Sequence, residues 1–186
     1  MNIRNQLAAI ACVSILILGA GCSSNQLPNM DTNSSSQSVK VSTGEETTKT
    51  TSKAIKMVYF IPTEDGKGVK QVSVETTDAV TPKAALLAML KADRQQQYPI
   101  FSKDIEITSV TVKDGVASVE VNKAFIAGKG GDLTVTLQMA AIVNTLTSFN
   151  DINSVLFVSD GKKVPVVGSF DTKKPLKRME NLIVKS

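Results

Sequence analysis

The chain has 186 residues, two cysteines, no histidine and a formal net charge of +4. Without histidine, Ser-His and Cys-His catalytic pairs and imidazole metal ligands are excluded. The mild positive charge favours an anionic surface such as lipid headgroups or wall polymers. With aromatic residues at only 4% it gives nucleic-acid binding little support.

The first six residues carry one fixed charge, Arg4, and Leu7 to Leu18 is an apolar run, LAAIACVSILIL. A membrane-spanning helix needs about 20 apolar residues, so this run suits the core of a secretory signal peptide. Gly19, Ala20 and Gly21 precede Cys22, where the composition turns Ser- and Thr-rich. This pattern resembles the lipobox of bacterial lipoproteins. That family favours leucine three residues before the cysteine; Gly19 stands there, with Leu18 one place further back. Cys12 also follows small residues, but cleavage there would leave an apolar core of only a few residues. The resemblance implies a signal peptide over 1–21, removed by cleavage, and lipid on Cys22. Each buried CH₂ contributes about 0.8 kcal/mol, so two or three acyl chains would hold the protein at a membrane without a spanning helix. The processed chain would carry a net charge of +3 and no disulfide. Ser23 would suit outer-membrane sorting in a cell that has one.

Residues 22–54 have few large apolar side chains and no aromatic. Such a segment cannot offset its ordering entropy by burial, and it reads as a flexible tether with a reach of about 30 Å. Residues 55–186 read as one domain, long enough to bury a core.

KMVYFIP at 56–62 reads as a buried strand ending at Pro62. VKQVSVET at 69–76 alternates, with Val72 and Val74 on one face. Thr81 and Pro82 predict a helix start, as N-cap and first helical residue. Leu86, Leu87 and Leu90 give that helix its apolar stripe. In ITSVTVKDGVASVEV, Asp114-Gly115 predicts a two-residue hairpin turn. Pairing outward sets Val112 against Ala117, Val110 against Val119 and Thr108 against Val121. Thr111–Ser118 and Ser109–Glu120 fall on the other face. A one-residue slip would exchange the faces, so the register is well specified.

Val135, Met139, Ile142, Leu146 and Phe149 recur at helical spacing. Burying those side chains contributes about 7–15 kcal/mol gross, an upper bound. Leu133 and Leu137 fall on the far side of that helix. They either cap the core edge or form a candidate interaction surface. SVLFVSDG reads as a central strand, and KVPVVG as a short edge strand that tolerates Pro165. The expected fold is α+β: a two-layer sandwich in the order ββαββαβ, with one face of a mixed sheet covered by two helices. Helix 133–149 is the crossover into the strand at 155–158.

No catalytic pair stands out. The carboxylates Glu64, Asp65, Asp104, Glu106, Asp132, Asp160 and Asp171 are scattered and read as solvated charge. Gly128-Lys129-Gly130-Gly131 lacks the spacing of a phosphate-binding loop, and Asp132 reads as a helix N-cap instead.

Several phrases together resemble the GerM domain of sporulation and spore-germination lipoproteins. They are MVYFIP (57–62), AALLAMLKA (84–92), SVTVKDGVASVEVNKAF (109–125), GGDLTVTLQMAAIVNTLTSF (130–149) and SVLFVSDGKKVPVVGSFDTKKPLKR (154–178). The chain departs from the family where Lys91-Ala92-Asp93-Arg94 follows the first helix in place of Gly-Pro. It departs again at Pro99-Ile100, where the family has Ile-Pro. The resemblance implies a non-enzymatic extracytoplasmic module, without cofactor or metal, similar in fold to ring-building motifs. By analogy, Leu133, Leu137 and the polar sheet face would contact another copy or an envelope protein partner. The membrane would be engaged through the N-terminal lipid. A second reading is an extracytoplasmic ligand- or glycan-binding lipoprotein. It requires a pocket with aromatic or convergent polar groups, for which Tyr59 and Tyr98 supply the phenols.

Overall fold

The computed structural model describes residues 53–185. The signal segment, Cys22 and nearly all of the tether lie outside the described residues.

The chain runs β1 (Ile55–Pro62), β2 (Val69–Thr76), α1 (Pro82–Asp93), β3 (Ile107–Lys113), β4 (Val116–Val121), α2 (Lys123–Ile126), α3 (Gly131–Leu146) and β5 (Ser154–Ser159). Four short strands follow: β6 (Lys162–Lys163), β7 (Val166–Val167), β8 (Phe170–Asp171) and β9 (Leu176–Lys177). The expected ββαββαβ order is present, with the single turn of α2 added between β4 and α3. The architecture is α+β. Strands β3-β4-β5-β6 pair in that order and β9 joins β5, making a mixed five-stranded sheet. β4 and β5 are parallel, and α3 is the crossover such a pair requires. β1 and β2 pair with each other as a separate hairpin, and Val69 at the start of β2 adds one parallel bridge to Ile183.

Local chemistry sets the elements. Thr81 caps α1, its hydroxyl accepting the Ala84 N–H at 3.1 Å, and Pro82 opens the helix. Leu86, Met89 and Leu90 are buried, whereas Leu87 is turned out of the stripe assigned to it. Asp114 and Gly115 both take positive φ, 52° and 76°, as the hairpin turn demands. The β3–β4 register pairs Val112 with Ala117, Val110 with Val119 and Ser109 with Glu120. A bulge then sets Ile107, not Thr108, against Val121. The extra residue puts Ile107 into the core and leaves Thr108 outside.

α3 departs from its expected start. Gly130 is the N-cap, with φ +105°, and no side chain caps the helix. Asp132 therefore sits inside the first turn, and its carboxylate accepts a hydrogen bond from the Ser169 hydroxyl. Beyond the first turn α3 is buried nearly all round, because β1, α1 and the C-terminal segment pack on it as well as β5. The core runs through Phe60, Met89, Phe101, Phe125, Met139, Ile142 and Phe157, with the Phe125 and Phe157 rings 5.4 Å apart.

The C-terminal segment is bound to α3 by polar contacts. Buried Asn144 donates to the Met179 carbonyl at 3.2 Å and accepts the Met179 N–H at 2.8 Å. Arg178 donates to the Asn144 carbonyl at 3.0 Å, near the negative end of the helix dipole, and its guanidinium lies 5.1 Å over the Phe60 ring.

Candidate functional site

Between α1 and β3 the chain runs through residues 94–106 without helix or strand. Loops of this length in small domains are commonly functional. This one is ordered by buried polar groups. Asp93 is fully buried, and its carboxylate accepts the Phe101 N–H at 2.9 Å, the Ile100 N–H at 3.4 Å and the Gln96 amide at 3.3 Å. A carboxylate in the last turn opposes the helix dipole. Its place is explained by the loop amides it receives. Burial pushes the Asp93 carboxyl up, against those hydrogen bonds. Arg94 donates to the carbonyls of Ser102 at 3.0 Å and Ile105 at 2.7 Å, and Asn122 donates to the Asp104 carbonyl at 2.6 Å.

The loop stands across a cleft from the start of α3. The cleft has a volume of about 290 Å³. One wall is the helical stripe Gly130, Thr134, Gln138, and the other is formed from Pro99 to Ile105. At its mouth Lys129 and Asp104 approach to 4.0 Å, each side chain more than half exposed. The Ser102 hydroxyl donates to Asp104 and is the main cause that holds its carboxyl below the ordinary range. Gln138, only 2% exposed, donates from Nε2 to the Ile100 carbonyl at 2.6 Å. Its Oε1 is buried without a hydrogen-bond partner.

The residues singled out by sequence are not brought together here. Leu133 projects from the first turn of α3 and is 63% exposed. It faces the β1–β2 turn, where a Cβ placed on Gly66 would stand 3.9 Å from its Cδ2. Leu137 is 3% exposed and belongs to the core, so of the two only Leu133 presents a surface. Tyr59 is buried and Tyr98 exposed, and neither lines the cleft. Gln138 escaped the sequence reading, whereas Asp104 was read as solvated charge and Lys129 as part of a glycine-rich loop without phosphate-binding spacing. The available signal was Thr134 and Gln138, four residues apart and so on one face of α3. Among the described residues no three His, Cys, Asp or Glu side chains cluster as a metal site. None of the described helices is long and apolar enough to cross a membrane.

These elements define a small α+β domain with a cleft of mixed polar and apolar lining beside its main helix. The chain belongs to the Germane family, described as sporulation and spore germination, which matches residues 57–165. That description names processes, not a reaction. Among solved structures, the first GerMN domain of the sporulation protein GerM from Bacillus subtilis is 17% identical. It aligns with a TM-score of 0.52 over 68% of this chain and 99% of that one. The tandem GerMN domains of the same protein are 19% identical with a TM-score of 0.49, over 72% of this chain and 47% of that one. A chain named "Putative Lipoprotein from Clostridium perfringens" is 21% identical with a TM-score of 0.48, over 72% of this chain and 95% of that one. At these identities the likeness is one of fold. No curated protein matches the chain in sequence.

Proposed function

We propose that the protein is a lipid-anchored, non-enzymatic component of the cell envelope. Its GerM-like domain acts by assembly with other copies or by binding an envelope protein, in sporulation, germination or a wall-related process. Cys22 carries the lipid, and residues 22–54 hold the domain away from the membrane.

The observation that carries the assembly reading is Leu133. A leucine 63% exposed on the first turn of a helix otherwise largely buried has no role in this domain's own core. Its neighbour across the surface is the glycine-containing turn between β1 and β2, where a Cβ on Gly66 would meet its Cδ2 at 3.9 Å. An isolated exposed leucine is ordinary on a protein surface; its place at the uncapped start of the main helix is what recommends it.

The test is in-cell crosslinking of the full lipidated protein from a photoreactive residue at position 133, with mass spectrometry of the products. Self-adducts support assembly, and a single foreign adduct identifies the partner. Absence of any protein adduct overturns the reading. Anchoring is tested separately: Cys22→Ser abolishes lipid labelling and releases the protein from membranes, and unchanged fractionation would refute it.

A further inference from the structure

We propose that the free edge of β3 pairs antiparallel with the same edge of a second copy, joining the two mixed sheets about an axis at Thr111. The surface is distinct from Leu133, and the pairing requires neither the lipid nor any other partner.

β3 ends the strand order of the mixed sheet, and among the described residues no strand pairs with its outer side. An unpaired edge is a template for another strand, and proteins commonly blunt it. Here only one end is blunted. A bulge between Ile107 and Ser109 disturbs the strand, and Lys83 Nζ donates to the Thr108 carbonyl at 2.6 Å. The stretch Ser109–Lys113 contains neither proline nor bulge, and each of its residues is exposed or half-buried.

The hairpin decides which backbone groups are free. Lys113 and Val116 flank a two-residue turn and so exchange both their hydrogen bonds. Pairs then alternate along the ladder. Thr111 and Ser109 also bond to β4, whereas the N–H and C=O of Val110 and Val112 point away from it. Setting Val110 opposite Val112 of the second copy, and the reverse, satisfies these groups in both chains. Val110 opposite Val110 would bring the next bonds to Thr108, at the bulge and already held by Lys83. Val112 opposite Val112 would bring them to Asp114, inside the turn with φ 52°. One register remains, centred on Thr111.

That register also suits the side chains. Thr111 meets Thr111 on the polar face, a favourable cross-strand pair. Val112, 38% exposed at the edge, is set against Val110. Lys113 comes opposite Ser109 of the second copy, and Ser109 has Glu120 as its partner on β4. Lys113 and that Glu120 are then two strands apart, about 10 Å, a gap that the two side chains span together. Neither has an ion-pair partner among the described residues. Continuing the register brings Asp114 of the second copy to Thr108, where Lys83 reaches the edge. Opposite charges therefore meet at both ends of the pair, and no like charges are set against each other.

The test is disulfide trapping in the purified full chain carrying Cys12→Ser and Cys22→Ser. Across the axis the two Thr111 Cα atoms stand about 4.5 Å apart, within disulfide range. Thr111→Cys is expected to oxidise to a covalent dimer. Ser109→Cys and Lys113→Cys each remain uncoupled alone, because each residue stands about 14 Å from its own copy. Mixed together they couple. In the Thr111→Cys chain, Val112→Pro removes an outward N–H, leaves the β3–β4 ladder intact and lowers the dimer yield about tenfold or more. Unchanged urea midpoints of the reduced variants verify the fold. Three results would overturn the proposal: no dimer from Thr111→Cys, equal coupling from Ser109→Cys, or a yield indifferent to Val112→Pro. Self-adducts from position 133 without a Thr111→Cys dimer would reject this pairing and leave the assembly reading standing.

Discussion

Asp93 holds the backbone N–H of Phe101 at 2.9 Å, so a carboxylate at the end of α1 fixes the loop that forms one wall of the cleft. Phe101 is itself in the core, which couples the hydrogen bond to apolar burial. Asp93→Ala leaves loop amides unpaired inside the protein and costs about 2–4 kcal/mol. Asp93→Asn keeps one acceptor and costs less. The pH dependence has a definite sign. Burial raises the Asp93 carboxyl, so the folded protein binds that proton more tightly than the unfolded chain. The stability this group contributes is full at low pH. It is lost as pH rises from the ordinary aspartate value, about 3.9, through the folded one. In urea unfolding across that window, wild type loses stability relative to Asp93→Asn as pH rises. A gain would place the folded carboxyl below its ordinary value.

The β3–β4 hairpin gives a graded test of register. Val119 is fully buried, Val110 is half-buried and Ser109 is exposed. Val119→Asp places an unpaired charge in the core and costs about 4 kcal/mol or more, sufficient to unfold many domains of this size. Val110→Asp costs about 1–2 kcal/mol, and Ser109→Asp about 0.5 kcal/mol or less. Equal unfolding midpoints for the three variants would mean that the strands pair differently.

Much of this was legible because the signals were local. Thr81-Pro82 needed only the next turn of chain to act as a cap, and Asp114-Gly115 needed only its own backbone angles. Asp160-Gly161 carries the same turn signal, with φ 50° and 71°, yet reads as the tail of an apolar strand. The strand ends at Ser159 and the pair turns into β6. What was not legible depends on distant chain. Asp132 has the chemistry of a cap, but the left-handed backbone of Gly130 moves the helix start two residues earlier. Leu137 lies on the expected outer side of α3, but β1 and the C-terminal segment add packing that periodicity cannot foresee. The cleft has the same cause. Gln138 and Ile100 are 38 residues apart, and no spacing rule joins them.

Leu133 and Leu137 separate surface from core within one turn of α3. Leu137→Ala removes a buried side chain and costs about 2–5 kcal/mol. Leu133→Asp changes the stability of the isolated protein by about 0.5 kcal/mol or less, because the side chain is mostly in solvent. In cells it reduces the adducts formed from neighbouring surface positions while protein levels hold. Thermal unfolding of both purified variants checks the first pair of outcomes. If Leu133→Asp were the more destabilising, its side chain would belong to the fold rather than to an interface.

Gly128 and Gly168 give the last prediction, since their backbones touch. A Cβ placed on Gly128 would stand 2.3 Å from the Gly168 Cα, too close for any side chain. Both residues also have positive φ, 57° and 56°. The contact presses the end of α2 onto the β7–β8 turn, where the Gly168 N–H donates to the Ile126 carbonyl at 3.2 Å. Gly128→Ala therefore suffers left-handed strain and a backbone collision, and costs about 3 kcal/mol or more. Gly131→Ala separates these effects. Its φ is +82°, but nothing lies within 4 Å of the added Cβ. It pays the strain alone, about 1–2 kcal/mol. Chemical denaturation of the two variants measures the difference, which is the cost of the added Cβ colliding with Gly168. Equal losses would show that strain accounts for both and that the turn can yield. A larger loss at Gly128 would show that the β7–β8 turn cannot move away from the end of α2.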